Sequence, residues 1–592
     1  MTDVLLVVPP WASAVLPVLG PSLLVASLRR AGFEAHVRYS NLAFAAVVGL
    51  DRSRRFSRSS SRMHGELAFA EAAWGREVPP EALEFEGAPG TVTPEDWEAA
   101  LAAVPAFVAA EAERIVASGA AIVGFSSVFQ QTVPAVALAR AVRRLRPDIT
   151  LLLGGANAGG PMARGIADAA PVFDHVVSGD ADLLLPELVS RLQAGDPVPR
   201  VVEAERVHDL AAVPTPAFDD YFQQLAPLVR DGLLPDRLPE ALPFESSRGC
   251  WWGERSHCTF CGLNGLTIAE RAHRPERVLA DIEALVARWG VTELRASDDL
   301  LPLRIQREAL PELARRQPGR EAPLRFFYEV KASLKRPTLG TLAAAGVTLV
   351  QAGLESLSTD TLRAVGKGTT GPMNLVFLRE AGAAGIQVLW NWMVGFPGDD
   401  REDYEGTLRL LSLIPHLQPP GGLAVVRVDR FSPYHREPER YGIGPLRPLP
   451  ALAHAWPEDA DLHAIAYHFE GDMASPYRND PALAARVHDG LARWQEAHAA
   501  GARLDGVDRS DGGMEVTDTR PGAEAASHVL NPEVAAFLRR LEHPTPADVA
   551  EGLSPVPAFG GLLQRGLLVQ HEGLLLSVVT RQAGADRASP AP

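Results

Sequence analysis

The chain has 592 residues, enough for three or four domains with real cores at roughly 100–200 residues each. Its 46% hydrophobic and 22% charged content is that of a globular protein, and no apolar run reaches the roughly 18 residues that a membrane helix needs. A net charge of −16 argues against nucleic acid as a partner, and a start of Met1-Thr2-Asp3 without a basic lead predicts no secretory signal and a cytoplasmic home.

Residues 1–198 read as one α/β unit. Val4 to Val8 is a short apolar run ending in Pro9-Pro10-Trp11, and Leu16-Pro17 and Gly20-Pro21 then open a helical stretch. Ala121 to Phe125 ends in Ser126-Ser127, Thr150 to Leu153 in Gly154-Gly155-Ala156-Asn157, and His175 to Val177 in Ser178-Gly179-Asp180. Strand, small-residue turn and helix, repeated, predict a doubly wound, Rossmann-like sheet with a binding crevice at its strand ends. Pro10, Trp11, Ser126, Ser127, Gly154, Gly155, Asn157 and Gly179 are the candidate crevice residues, most of them small enough to leave room for a large flat ligand. No Gly-x-Gly-x-x-Gly follows the first strand, which weakens a dinucleotide reading. The Arg/Ser run from Arg52 to Arg62 reads as a solvated loop, and residues 199–240, rich in proline and arginine, as a linker.

All three cysteines fall within twelve positions: Cys250, Cys258 and Cys261. Three thiolates make an incomplete metal site. A 4Fe–4S cluster takes one thiolate per iron, so three cysteines leave one iron open for a ligand. A structural zinc completed by His257 is the competing reading, although His257 is adjacent to Cys258 and zinc motifs pair ligands two to four residues apart. Buried inert thiols are a third reading, and an odd count speaks against disulfides.

Residues 241–448 alternate β-type and helical runs. Thr292 to Ala296, Leu324 to Val330, Gly346 to Ala352, Gln387 to Val394 and Leu423 to Asp429 read as strands, with helices such as Glu276 to Trp289 and Arg401 to Leu413 between them. That alternation predicts a parallel sheet with crossover helices, closed or partly closed, whose working residues sit at the carboxyl ends of the strands. Asp298, Asp299, Glu329, Lys331, Glu355, Ser356, Asn391, Gly395 and Pro397 occupy such ends.

Residues 449–520 read as a helical and irregular extension. In the tail, 521–592, Asn531 to Leu541, Thr545 to Leu553 and Phe559 to Arg565 read as helices, and Leu567 to Val569 with Leu574 to Val579 as a β-ribbon around Glu572-Gly573. Three helices and a hairpin predict a small winged-helix-like domain. Its acidic residues argue against DNA, and it loosely resembles the elements that capture leader peptides by adding a strand to a sheet edge. A purely structural cap is the plainer alternative.

The cysteine segment, with Phe260 just before the last thiol, resembles the signature of radical S-adenosylmethionine enzymes. Seven residues, Trp251 to His257, separate the first two cysteines where the common spacing has three. This longer form, with Trp-Trp-Gly after the first cysteine and Gly-Leu-Asn-Gly after the last, resembles the cobalamin-type maturases of ribosomally made peptides. The resemblance implies a partial (β/α)6 barrel in which Cys250, Cys258 and Cys261 hold a 4Fe–4S cluster and S-adenosylmethionine chelates the open iron. Gly353 to Ser356, with Leu362 and Lys367-Gly368, resembles the strand and loop that contact this cofactor. Asp298 and Asp299 stand where relatives hold its amine, and Glu329 and Lys331 would face its sugar and carboxylate. Asn391 closes the fourth strand, and the Gly395 to Gly398 turn resembles the adenine-side motif. Val428 to Tyr434 resembles a run of the maturase branch, placing Arg430 and Tyr434 as candidate catalytic residues of the substrate channel; packing is an equally open role.

Residues 1–198 resemble the cobalamin-binding domain of the same subclass. They lack Asp-x-His-x-x-Gly, which implies a cobalt without a protein ligand on its lower face. The implied activity is C-methylation of an unactivated carbon in a ribosomal precursor peptide. The implied partners are that peptide with its leader and a flavodoxin- or ferredoxin-type electron donor. Rearrangement, cyclopropanation or epimerisation of the peptide, small-molecule methylation in antibiotic assembly, and a zinc-stabilised, non-catalytic peptide-binding adaptor stay open.

Overall fold

A computed structural model describes residues 2–88, 90–263, 265–553 and 558–581. Asn264 of the Gly-Leu-Asn-Gly run and the end of the tail, 582–592, lie outside the described residues. Among the described residues no helix is long and apolar enough to cross a membrane.

The N-terminal sheet holds six parallel strands: β1 (Val4–Val8), β2 (Ala35–Tyr39), β3 (Ile122–Ser126), β4 (Thr150–Gly154), β5 (His175–Ser178) and β6 (Val201–Glu203), in the order β2-β1-β3-β4-β5-β6. All five residues of β1 are buried, as a strand covered on both faces requires. The order reverses between β1 and β3, and ligand crevices form at such switch points. The sequence reading missed β2, whose Ala-His-Val-Arg-Tyr alternates buried and half-buried residues. It also placed β6 in a linker. Residues 199–240 are in fact packed: helix Asp219–Arg230 docks on β2, where Asp220 accepts from Arg29 and from the Val37 amide, both at 2.8 Å.

Between β2 and β3 lies a helical insert. Its basic run is no solvated loop: Leu50–Arg58 is a helix, and Arg52 and Arg55 both pair with Asp96 of the capping box that opens helix Pro94–Ala117. The insert covers the carboxyl end of β1, where Trp11 stacks on Phe56 at 4.3 Å.

The second α/β unit begins with β7 (Leu242–Phe244). A short antiparallel pair, β8 (Ser247–Arg248) and β9 (Arg271–Ala272), closes the base of the cysteine loop. Then come β10 (Glu293–Ala296), β11 (Arg325–Val330), β12 (Val347–Ala352) and β13 (Gln387–Leu389), which with β7 form a parallel sheet ordered β13-β12-β11-β10-β7. β14 (Trp392–Val394) and β15 (Leu423–Val425) pair in parallel, and a bridge from Glu355 to Trp392 carries the curve onward. The expected strand Gln387 to Val394 is thus broken at Trp390-Asn391. The result is a partial barrel.

β16 (Val428–Asp429), β17 (Arg447–Pro448) and β18 (His468–Glu470) form an antiparallel sheet with β18 central. The extension is more ordered than its sequence suggested. β19 (Leu504–Asp508) and β20 (Met514–Asp518) form a hairpin that continues into β21 (Ser527–Leu530), so a domain boundary at 520/521 would cut a sheet. The tail adds β22 (Thr545–Pro546), β23 (Leu568–His571), β24 (Leu574–Ser577) and β25 (Thr580–Arg581), with helices Pro532–Arg540, Ala547–Leu553 and Ala558–Gln564. β22, β24 and β23 pair antiparallel, while β25 runs parallel to β19. One continuous apolar core joins barrel residues such as Val388 and Leu410 to Phe537, Leu568 and Leu575 of the tail. Arg379, 1% exposed, donates to the carbonyls of Ser577 and Glu542 across that junction.

Candidate active site

Cys250 caps the short helix Trp251–Arg255, its Sγ accepting from the Gly253 amide at 3.4 Å. This helix is what the long cysteine spacing builds. It sets Trp252 as a floor: Nε1 donates to the Gly366 carbonyl at 3.1 Å, and Lys331 Nζ lies 3.4 Å from the ring centroid. A side chain at Gly368 would strike that indole at 2.2 Å, which is why glycine follows Lys367. The Thr259 amide donates to the Val365 carbonyl at 3.1 Å and the Cys261 amide to Cys258 at 3.0 Å, fixing the turn that carries the second and third thiols.

All three thiols face one cavity of about 990 Å³ at the mouth of the barrel. Phe260, Asp299, Glu329, Lys331, Glu355 and Asn391 line it as well. Burial pushes the three thiols up, Cys261 to about 12. Burial, reinforced by Asp299, raises the Glu329 carboxyl to about 7. Burial and the neighbouring Lys367 lower the Lys331 ammonium to about 8. Burial also disfavours the Lys367 charge, but Glu355 at 2.8 Å outweighs it and holds that ammonium above its ordinary range. A Cβ at Gly353 would sit 2.3 Å from Lys367 Nζ, so a larger residue there would displace this ammonium from its present path to Glu355. Glu355 itself holds a φ of 62°, a strained setting for a non-glycine residue.

The donor set suits a cluster better than a single ion. Among the described residues no three His, Cys, Asp or Glu side chains stand close enough to share one metal. His257 is not a spare ligand. Arg436 donates to its Nδ1 at 3.0 Å, which makes Nε2 the donor to the Cys261 carbonyl at 2.9 Å. Thiolates spread around a cube of iron and sulfide need not converge on a point.

A second cavity of about 840 Å³ lies between the strand ends of the N-terminal sheet and the barrel. Gly155, Asn157 and Gly179 line it as the sequence suggested. Gly155 has φ 111°, and a Cβ there would lie 2.5 Å from the Ser127 carbonyl; at Gly179, with φ 101°, it would lie 2.9 Å from that of Ala204. Opposite them, Asp429 pairs with His468 at 2.7 Å. Gly262 and Gly265 let the cysteine loop press onto Arg430 and Phe431 at distances no Cβ would tolerate. Phe129, Leu263 and Asp299 line both cavities, which therefore adjoin.

Eleven of the sequence candidates lie elsewhere. Asp298 is buried behind the wall, accepting from the Ser246 and Ser247 amides at 2.7 and 2.8 Å, and burial raises it to about 7. It braces the turn after β7. Ser356 is buried and accepts from the Ser358 amide at 3.0 Å. Gly395 and Pro397 belong to a turn locked by Arg478, whose Nε donates to the Gly395 carbonyl at 2.9 Å. Trp11 donates to the Gly65 carbonyl at 2.9 Å, and Pro10 is buried with it. Ser127 bonds Thr132 at 2.8 Å, Gly154 sits back in β4, and Ser126 Oγ is buried without a hydrogen-bond partner among the described residues. Arg430 turns inward to the Ala466 carbonyl at 2.6 Å, and Tyr434 is buried beside Tyr441 at 5.0 Å. Their sequence neighbours Asp429 and Phe431 are the ones that face the cavity. Sequence reasoning missed Phe129, His468 and the insert residues Arg58, Met63 and Glu66, which reach the walls through packing distant in sequence and carry no local signal.

Residues 244–411 match the Radical SAM superfamily, and that stretch is a radical SAM domain. The chain is 24% identical over 304 residues to an uncharacterized methyltransferase of Pyrococcus horikoshii, a match covering 49% of this chain and 63% of that protein, less than two thirds of its length. The fold is similar to that of OxsB, a cobalamin-dependent S-adenosylmethionine radical enzyme solved with aqua-cobalamin bound. The TM-score is 0.55 at 14% identity, covering 84% of this chain and 66% of OxsB. It is also similar to TsrM of Kitasatospora setae, a radical S-adenosylmethionine methyltransferase solved with a tryptophan substrate and an S-adenosylmethionine analogue. Here the TM-score is 0.53 at 16% identity, over 82% of this chain and 89% of TsrM. At these identities the likeness is one of fold.

Proposed function

We propose that this chain is a corrinoid-dependent radical S-adenosylmethionine enzyme that methylates an unactivated carbon of a peptide. One observation carries the reading: the cavity holding all three thiols and the glycine-floored cavity of the N-terminal sheet adjoin, with Phe129, Leu263 and Asp299 lining both. Two cofactors seated there would meet on one substrate.

Cys250, Cys258 and Cys261 would hold the 4Fe–4S cluster, and Gly155, Asn157 and Gly179 the flat face of the corrinoid. Once bound, the cluster with S-adenosylmethionine supplies one-electron cleavage and the corrinoid supplies a methyl group. The chain's own residues do the rest. Lys331 would take the carboxylate of S-adenosylmethionine, and Asp299 and Glu329 its amine and sugar, all three lining the cavity of the thiols. The Lys367–Glu355 pair and the Trp252 floor keep the loop rigid. The insert and the extension both line the N-terminal cavity and meet where Trp74 donates to the Ala455 carbonyl at 2.9 Å.

The peptide part of the proposal rests on the tail. Among the described residues β21 is an unpaired edge of its sheet, and Val529 on β21 is 66% exposed. An extended leader can add there as a further strand. Methylation of a small molecule is the second reading, favoured by the tryptophan bound to TsrM. The enzyme reading is tested by single Cys250→Ala, Cys258→Ala and Cys261→Ala variants of anaerobically reconstituted protein. Each should lose cleavage of S-adenosylmethionine to 5′-deoxyadenosine; one fully active variant refutes it. The peptide reading is tested by selecting a random peptide library on the full chain. Enriched peptides should lose binding to Val529→Pro; a selection that enriches none moves the substrate to the small-molecule class.

A further inference from the structure

Phe129 follows β3 with φ 52°, a left-handed setting that costs a large aromatic residue energy. Its ring gains little from the chain in return, since the residue is 72% exposed. The loop is nonetheless bolted in this shape from several directions. Asn157 Nδ2 donates to the Phe129 carbonyl at 2.8 Å and to the Ser127 and Thr132 hydroxyls at 3.0 Å. The Asn157 amide donates to the Ser127 carbonyl at 3.1 Å. Gln131 accepts from the Val128 amide at 3.2 Å and donates to the Pro9 carbonyl at 2.8 Å. Asn157 belongs to the turn after β4, beside the Gly155 cradle, so the bolt and the cradle are one unit. Strain held by surrounding bonds, with an apolar ring left in the open, marks a side chain whose partner is not in the chain. Its position names the partner, because Phe129 borders both cavities.

We propose that Phe129 stands at the boundary of the two cofactor cavities as a side wall: its ring packs against the rim of the corrin ring seated over Gly155 and Gly179 and leaves the cluster-side face open to substrate. This rests on the corrinoid reading of the N-terminal cavity. The ring is then a positioning residue that buries its apolar surface against the ligand, and the bonds from Asn157 and Gln131 hold the strained backbone that presents it.

The probe is aquacobalamin, titrated by absorbance into wild type, Phe129→Gly and Phe129→Leu, each first matched for iron content. Glycine accepts the left-handed setting freely, so Phe129→Gly should raise the melting temperature of the unliganded chain. It should also weaken aquacobalamin binding about tenfold, the scale of losing one large buried apolar side chain. Phe129→Leu keeps most of the apolar surface and should bind within about threefold of wild type. Stability rising while affinity falls is a signature that a merely structural residue cannot give. Unchanged affinity in Phe129→Gly, or a lower melting temperature without ligand, overturns the proposal. Failure of wild type to bind aquacobalamin overturns the corrinoid reading itself, and shows before any variant is compared.

Discussion

Arg379 decides whether the tail is an adaptor hung on the barrel or part of its body. The guanidinium, on helix Gly371–Ala383, is 1% exposed and donates to the Ser577 carbonyl, the Glu542 carbonyl at 2.7 Å and the Glu380 carboxylate at 2.6 and 3.0 Å. Arg379→Met keeps the length and removes every donor. Glu380 retains Arg336, so the loss is smaller than stranding a lone buried carboxylate. The buried Ser577 carbonyl and the half-buried Glu542 carbonyl lose this donor, at about 1–3 kcal/mol for the first and less for the second. With part of a buried ion pair gone as well, the expected destabilisation is about 3–5 kcal/mol. At roughly 2–4 °C per kcal/mol for a unit of 150–250 residues, the barrel should melt some 6–20 °C earlier. Arg336→Met is the control: that side chain is 44% exposed, and its pair is worth about 1 kcal/mol or less. The assay is an anaerobic melt followed by tryptophan fluorescence and by the visible absorbance of the cluster. If Arg379→Met leaves loss of the cluster absorbance at the wild-type temperature, the tail is separable and the reasoning fails.

Three further outcomes are expected. His257→Ala should keep full iron content, because both ring nitrogens are already spent on Arg436 and Cys261; loss of metal would restore the zinc reading. Gly155→Ala should abolish aquacobalamin binding while sparing iron, since its Cβ would lie 2.5 Å from the Ser127 carbonyl; retained binding would remove the cradle from that turn. Asp96 is held at about 2, against an ordinary 3.8, chiefly by its hydrogen bonds from Arg55. A depressed carboxyl stabilises the fold above its unfolded value and loses that contribution as pH falls through its folded one. Asp96→Asn should therefore cost about 2 kcal/mol at neutral pH and nothing below about pH 2, read from urea unfolding across that range; a cost independent of pH would contradict the assignment.

The sequence made legible whatever its own neighbours determine. Continuous apolar runs announced β1, β3, β4 and β5, because central parallel strands are buried on both faces. Clustering of Cys250, Cys258 and Cys261 pointed to the one cavity they share, and the glycines at strand ends, Gly155 and Gly179, to the lining of the other. The failures share a cause. Asp298 and Asp299 are adjacent, yet one turns behind the wall and the other lines both cavities, and no local pattern tells which. Arg430 and Asp429 divide in the same way on alternate sides of the chain leaving β16. Trp11 looked like a crevice residue until the insert, folding back from some fifty residues away, buried it against Phe56 and Gly65. β2 was hidden because His36 and Arg38, on its other face, break the apolar run, and both are matched by distant carboxylates, Asp220 and Glu111.

Anaerobic purification with cobalamin supplied, followed by iron, sulfide, cobalt and zinc analysis and a visible spectrum, tests the central claim most directly. The account requires about four irons with matching sulfide and one cobalt per chain, with S-adenosylmethionine cleaved on reduction. Stoichiometric zinc without iron, or an iron–sulfur protein that takes up no cobalt, would contradict it.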